Sequence, residues 1–154
     1  MKKPKFIMLA AVTLDGKIAR SVRGGSSWTS REDKNFLHRE LDKCDLIIVG
    51  RKTYELAKKP LSKRKCLVMT RKVKGWEKKV KSLTGCICIL GGSEIYSYFL
   101  KHNLLDEIYL TVEPLVFGAG VPLFDIPLNV PQTFKLVSIK RLNRTGTIVL
   151  RYKK

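Results

Sequence analysis

Apolar residues fall in short, nearly unbroken runs at residues 6–13, 46–49, 65–69, 86–90 and 106–112, separated by polar or glycine-containing stretches. Short runs with little polar alternation predict strands covered on both faces. Helical spacing takes over between several of them. Leu37, Leu41 and Cys44 follow one another at i, i+4 and i+7, which predicts a helix of about a dozen residues. Ser30 precedes it as an N-cap, and Asp33 completes a capping box three positions on. A second helix is predicted from Ser93 to His102, and one or two helical turns from Thr53 to Lys58, ended by Pro60. Residues 72–81 predict a short strand or none, and residues 116–122 a glycine-containing loop. Residues 133–141 and 147–152 predict a terminal hairpin joined near residues 143–146.

Strands alternating with helices through the first two thirds imply parallel pairing with right-handed crossovers. The last strands have no helix between them. The expected fold is therefore α/β: a single mixed, mostly parallel sheet with helices on both faces and an antiparallel C-terminal hairpin. The 154 residues suit one domain, residues 1–154, with one core.

The formal net charge is +18, with many cations crowded into residues 58–65 and 71–81. Such a surface suits nucleic acid or a phosphorylated small ligand. The basic stretches lack interleaved stacking aromatics, and no nucleic-acid motif is present, so the small ligand is preferred. None of the four cysteines, Cys44, Cys66, Cys86 and Cys88, has C-x-x-C spacing, and the two histidines lie on separate predicted helices. No metal site is expected. Cys86 and Cys88 lie two apart in a strand and share one face. Free thiols suit a reducing cytosol, and the first apolar run is too short to span a bilayer, so a cytoplasmic protein is expected.

Gly91-Gly92 follows the apolar run 86–90 and precedes the helical pattern at Ser93. A helix start without side chains opens backbone N–H groups to an anion, which reads as a pyrophosphate site. A tight strand-to-helix turn without a ligand explains the same residues. Other special residues also gather at predicted strand ends: Leu14-Asp15-Gly16, Gly50-Arg51-Lys52-Thr53 and Thr70-Arg71. Ligands in such sheets lie beyond the carboxyl ends of the strands, so a cleft along that rim is expected.

Together these segments resemble a known superfamily. Val12-Thr13-Leu14-Asp15-Gly16-Lys17-Ile18-Ala19, and Asp106-Glu107-Ile108-Tyr109-Leu110 followed by Pro114-Leu115-Val116-Phe117-Gly118-Ala119-Gly120-Val121-Pro122-Leu123-Phe124, resemble the reductase domain of riboflavin biosynthesis. That domain is the C-terminal half of the bifunctional deaminase/reductase. Gly50-Arg51-Lys52-Thr53-Tyr54-Glu55, Pro60-Leu61-Ser62-Lys63-Arg64-Lys65 and Leu90-Gly91-Gly92-Ser93-Glu94-Ile95-Tyr96 resemble dihydrofolate reductase, which shares that fold.

The resemblance implies NADPH and hydride transfer from its nicotinamide. It assigns Gly91, Gly92, Ser93, Glu94 and Ile95 to the pyrophosphate through backbone groups. Arg51, Lys52 and Thr53 fall near the cofactor phosphates, with Arg51 suited to the 2′-phosphate, and Thr70 and Arg71 complete the adenosine-phosphate pocket. The backbone at Val12 runs beside the nicotinamide, and Trp28 covers it. Asp33, as the catalytic residue, grips an amino-pyrimidine edge; Ser26 and Arg64 contact substrate, Arg64 through a folate carboxylate. Plainer readings stand beside these: Arg51 as a surface cation, Thr53 as a helix cap, Trp28 as core, and Asp33 as half of the capping box. Asp15 is read as a turn residue.

The chain departs from the riboflavin domain at Leu41, at Ala57-Lys58-Lys59-Pro60 and at Leu90. The expected activity is an NADPH-dependent reductase of the riboflavin type acting on a ribosylamino-pyrimidine phosphate. Dihydrofolate reduction is the alternative and nucleic-acid binding a distant one. A homodimer is expected because such reductase domains commonly pair through their late strands.

Overall fold

The computed structural model describes residues 2–154. Lys5–Val12 forms β1, the middle strand of a seven-stranded sheet. The other strands are β3 (Leu46–Gly50), β4 (Cys66–Met69), β5 (Cys86–Ile89), β6 (Glu107–Val112), β8 (Lys135–Arg141) and β9 (Ile148–Lys153). Their order is β4-β3-β5-β1-β6-β9-β8. The strands from β4 to β6 pair in parallel, while β9 runs antiparallel to β6 and β8 antiparallel to β9. The mixed sheet and its closing hairpin are thus as expected. Two short strands, β2 (Lys17–Ala19) and β7 (Val121–Pro122), pair outside the main sheet.

Alternation along the strands splits the interior into two cores. Met8, Ile48, Ile87 and Ile89 face one way, onto Val80 and Phe99. Ile7, Leu9, Ile47, Val49 and Cys88 face the other way, onto Leu41 and Leu61. Val80 belongs to α4 (Trp76–Lys81) and Phe99 to α5 (Ser93–Lys101), whereas Leu41 belongs to α1 (Arg31–Asp42) and Leu61 to α3 (Lys58–Leu61). Helices therefore cover both faces, and the central strands tolerate apolar residues at every position.

Three local expectations need correction. Residues 72–81 carry the helix α4, not a strand. Gly75 turns the chain at φ +84°, and Trp76 and Val80 then supply a narrow i, i+4 apolar stripe on an otherwise basic helix. The turns after β3 start earlier than expected, as α2 (Arg51–Leu56) running directly off Gly50. Pro60 does not end them, because it lies in the first turn of α3, where its missing N–H removes no helical bond. Finally, the glycine-containing segment before Pro122 is not wholly loop: β7 in it pairs with β2.

Candidate active site

α2 and α5 begin at the ends of neighbouring parallel strands, and each is preceded by a glycine that offers no side-chain cap. The two glycine turns touch. Gly50 N–H donates to the Gly91 carbonyl at 2.7 Å. A Cβ on Gly50 would approach Ile95 to 3.1 Å, and one on Gly92 would approach the Thr53 hydroxyl to 3.3 Å. Gly91 has φ +105°, and a side chain there would enter the Tyr96 ring at 2.9 Å. Tyr96 cannot retreat easily, because its hydroxyl lies 2.6 Å from the Leu9 carbonyl and 3.0 Å from that of Leu90. The Gly91-Gly92 peptide is cis. The result is two adjacent helix starts with open first-turn N–H groups and no side chain in the way, a geometry suited to an anion.

These turns open into a cleft of about 1500 Å³. Of the residues singled out in the sequence, Ser26, Trp28, Asp33, Arg51, Lys52, Thr53, Thr70, Arg71, Gly92, Ser93, Glu94 and Ile95 line it. Val12 is buried in β1 and does not reach the cleft, and Gly91 lies behind the turn. Arg64 is elsewhere. Its guanidinium holds Asp42 Oδ1 at 2.8 and 3.1 Å and donates to the Pro60 carbonyl at 2.8 Å.

Arg51 pairs with Glu55 at 3.2 Å, with both side chains largely exposed. Arg71 is paired with Glu94 at the start of α5. Exposed pairs of this kind hold their arginines weakly. Trp28 packs edge-on against Phe117, with ring centroids 5.1 Å apart. Its indole N–H is buried without a hydrogen-bond partner among the described residues.

Asp33 is 5% exposed. Its backbone N–H donates to Ser30 Oγ at 3.1 Å, so Ser30 is the N-cap. The other half of the capping box is absent. The Ser30 N–H donates instead to Glu113 Oε1 at 2.7 Å, across 83 residues of chain. The Asp33 carboxyl is therefore free of the cap and faces the cleft beside Thr111 and Thr29. Burial pushes its pKa up, the Thr111 hydroxyl opposes the rise, and the Glu113 carboxylate adds to it.

Thr111 and Glu113, both buried at the end of β6, escaped the sequence reading. Two polar residues closing an otherwise apolar strand were the available signal. Glu113 also accepts the Thr147 hydroxyl at 2.6 Å, which joins the N-cap of α1 to the residue that precedes β9. Lys34 donates to the Thr29 carbonyl at 2.5 Å and lines the cleft beside Asp33. Asp15 accepts from Thr13 Oγ1 at 2.6 Å and from the Phe117 and Gly118 N–H groups at 3.2 and 2.9 Å, which ties the first turn to the later loop.

Comparison with known proteins agrees with this architecture. The uncharacterized protein YwjB of Bacillus subtilis (strain 168) is 31% identical over 144 residues, covering 78% of this chain and 82% of that protein. Among solved structures, a diaminohydroxyphosphoribosylaminopyrimidine deaminase/5-amino-6-(5-phosphoribosylamino)uracil reductase from Thermotoga maritima superposes with a TM-score of 0.77 at 17% identity. That match covers 98% of this chain but 56% of the bifunctional protein, so the chain spans little more than half its length. A dihydrofolate reductase from Enterococcus faecalis, solved with NADP(H), superposes with a TM-score of 0.74 at 18% identity over 97% of this chain and 95% of that one. A family model described as dihydrofolate reductase matches residues 5–118. Paired glycine turns at the ends of parallel strands and a match across most of the chain lead to one assignment: this protein belongs to the dihydrofolate reductase family.

Proposed function

We propose that this protein is an NADPH-dependent reductase of the riboflavin-biosynthesis type. Its substrate is a ribosylamino-pyrimidine phosphate, either 5-amino-6-(5-phosphoribosylamino)uracil or its 2,5-diamino analogue. The observation that carries the reading is that the glycine-started helices α2 and α5 share one cleft with Trp28 and an Asp33 carboxyl released from helix capping. Charge supports it. The cleft is lined by seven Lys or Arg side chains and three acids, a balance that favours a ligand pair rich in phosphate.

NADPH, when bound, supplies the hydride from its nicotinamide ring. The chain's own residues bind and orient. First-turn N–H groups of α5 receive the pyrophosphate at a helix start that no side chain blocks. Arg51, Lys52, Thr53 and Thr70 offer donors to the remaining phosphates. Arg71 joins them by exchanging its exposed partner Glu94 for phosphate, a stronger charge-assisted contact. The unpartnered Trp28 indole N–H fits a ligand acceptor, and with Phe117 it excludes water from the reacting rings. Asp33 accepts paired hydrogen bonds from the amino-pyrimidine edge when ionised, and its raised pKa lets it return a proton to the substrate.

Dihydrofolate is the second reading, favoured by the Asp33 carboxyl beside Thr111. Against it, Arg64 is committed to Asp42 and Pro60 outside the cleft and offers no free cation to the glutamate tail of folate. A homodimer through β8 belongs to the proposal: that strand is exposed along its whole length and carries Leu136, Val137 and Ile139. So does a reducing cytoplasmic setting, in keeping with the free thiols.

The test is NADPH oxidation assayed against the ribosylamino-pyrimidine phosphate and against dihydrofolate, with NADPH and NADH binding followed by Trp fluorescence. Turnover of the first substrate supports the proposal, and turnover of dihydrofolate alone moves the assignment to the second reading. If neither cofactor binds at millimolar concentration while DNA binds with a steep salt slope, the enzyme reading fails.

A further inference from the structure

All four cysteines of the chain pack into one of the two cores, on the face shared by α1 and α3. Two of them meet away from the cleft. Cys86 Sγ lies 3.7 Å from Cys44 Sγ. The backbones are held together as well: Asp45 N–H donates to the Cys86 carbonyl at 2.8 Å, and Cys86 N–H donates to Asp45 Oδ2 at 2.8 Å. Cys44 thus sits one residue from a direct strand-edge pairing with Cys86. The two sulfurs are in van der Waals contact, and closing a bond brings them from 3.7 Å to about 2.0 Å. Neither residue is fully buried. Both line a second cavity of about 220 Å³, with Lys5, Glu40, Lys43 and Tyr109 as further walls.

We propose that Cys44 and Cys86 are a thiol pair that a hydroperoxide converts to a disulfide, with Cys44 the attacking sulfur and Cys86 the resolving one. The cavity admits a molecule of that size, and the Lys5 and Lys43 ammonium groups at its wall are paired with Glu107 and Glu40. The Cys88 thiol beside Cys44, and then the Cys86 thiol, hold the Cys44 pKa down to about 7 against burial and the nearby Glu40 and Asp45 carboxylates. Cys86 Sγ donates toward Cys44 Sγ, which favours the anion on Cys44 and leaves Cys86 the thiol; burial pushes the Cys86 pKa the same way, to about 11. The Cys44 thiolate attacks the peroxide oxygen. The O–O bond breaks, water or an alcohol leaves, and Cys44 becomes a sulfenic acid. The Cys86 sulfur then attacks the Cys44 sulfur, the S–O bond breaks, and the hydroxyl leaves as water with the Cys86 proton. Two thiols are oxidised by two electrons, and the hydroperoxide is reduced by two. The closed bond ties the C-terminal end of α1 to β5. Asp33 lies at the other end of α1, and Gly91-Gly92 follows β5. This pair is independent of the substrate assignment above.

Peptide mapping of the intact protein under non-reducing conditions, after a hydrogen peroxide titration, tests the proposal. A Cys44–Cys86 cross-link is expected at the lowest effective dose, with Cys66 and Cys88 still thiols. The Cys86→Ser variant should retain Cys44 as a sulfenic acid trapped by a dimedone probe, and Cys44→Ser should give no such adduct at Cys86. The oxidised wild-type protein should melt about 5–10 °C higher, because the cross-link closes a long loop of the unfolded chain. Four thiols unchanged at a peroxide dose that oxidises free cysteine overturns the proposal. So does a dominant cross-link other than Cys44–Cys86. Should either serine variant fail to fold, the wild-type map and the melting shift still decide.

Discussion

Glu113 accepts the Ser30 N–H at 2.7 Å and so does for the start of α1 what Asp33 would do in a complete capping box. A buried carboxylate just past β6 thereby releases a buried carboxylate on α1 for other work. Glu113→Ala should cost roughly 2–4 kcal/mol, because the Ser30 N–H and the Thr147 hydroxyl both lose their acceptor inside the protein. Glu113→Gln, which can still accept from Ser30, should cost less. Denaturant melts of the two variants check this order.

Asp33→Asn should separate activity from stability. Burial raises the Asp33 pKa above 3.8, its ordinary value. Its contribution to stability is therefore fully present below 3.8 and is lost as pH rises through the raised value. Above the raised value the wild-type protein carries a buried charge that the variant lacks. The variant should melt at the same temperature or higher at pH 7, gain nothing below 3.8, and turn over substrate far more slowly. A large drop in melting temperature at pH 7 with unchanged turnover would return Asp33 to a purely structural role.

Arg51→Ala should weaken NADPH by roughly 1.5–3 kcal/mol, or about 10- to 150-fold, while NADH binding changes little. The melting temperature should hold, because the Arg51–Glu55 pair is exposed on both sides. Equal loss for both cofactors, read by fluorescence titration, would remove Arg51 from the 2′-phosphate.

The paired glycines should respond differently to a methyl group. Gly91→Ala forces a side chain into a left-handed backbone and into the Tyr96 ring, so it should destabilise the fold by roughly 2 kcal/mol or more. Gly92→Ala meets the Thr53 hydroxyl at 3.3 Å, a contact that a small shift relieves. It should fold normally yet bind NADPH more weakly, since its methyl group sits at the open start of α5. Thermal melts and cofactor titrations of both variants distinguish the two effects.

Arg64→Ala should leave cofactor and substrate affinities unchanged and lower stability modestly, through loss of the Asp42 contacts. A selective rise in the KM for dihydrofolate would instead revive the folate reading.

Much of the architecture was legible because it is local. Unbroken apolar runs announced doubly covered strands, Ser30 announced the start of α1, and Gly91-Gly92 announced the turn before α5. The period of side-chain exposure and the geometry of a cap depend on residues only a few places apart. The α4 helix was hidden because its apolar stripe is thin and its other positions are basic.

What Asp33 is free to do could not be read from its neighbours. Ser30 and Asp33 spell a capping box in the sequence, and the sequence is right about the Ser30 hydroxyl. The partner of the Ser30 N–H comes from 83 residues away, and only the packing of β6 against α1 brings it there. Arg64 shows the same limit: a motif set its place in the chain, while Asp42, across 22 residues, decided where its guanidinium points. Local sequence determines backbone periodicity, because the forces involved act within a turn or a strand pair. The assignment of a buried polar group to its partner is decided by tertiary structure, where each donor must find an acceptor once water has been excluded.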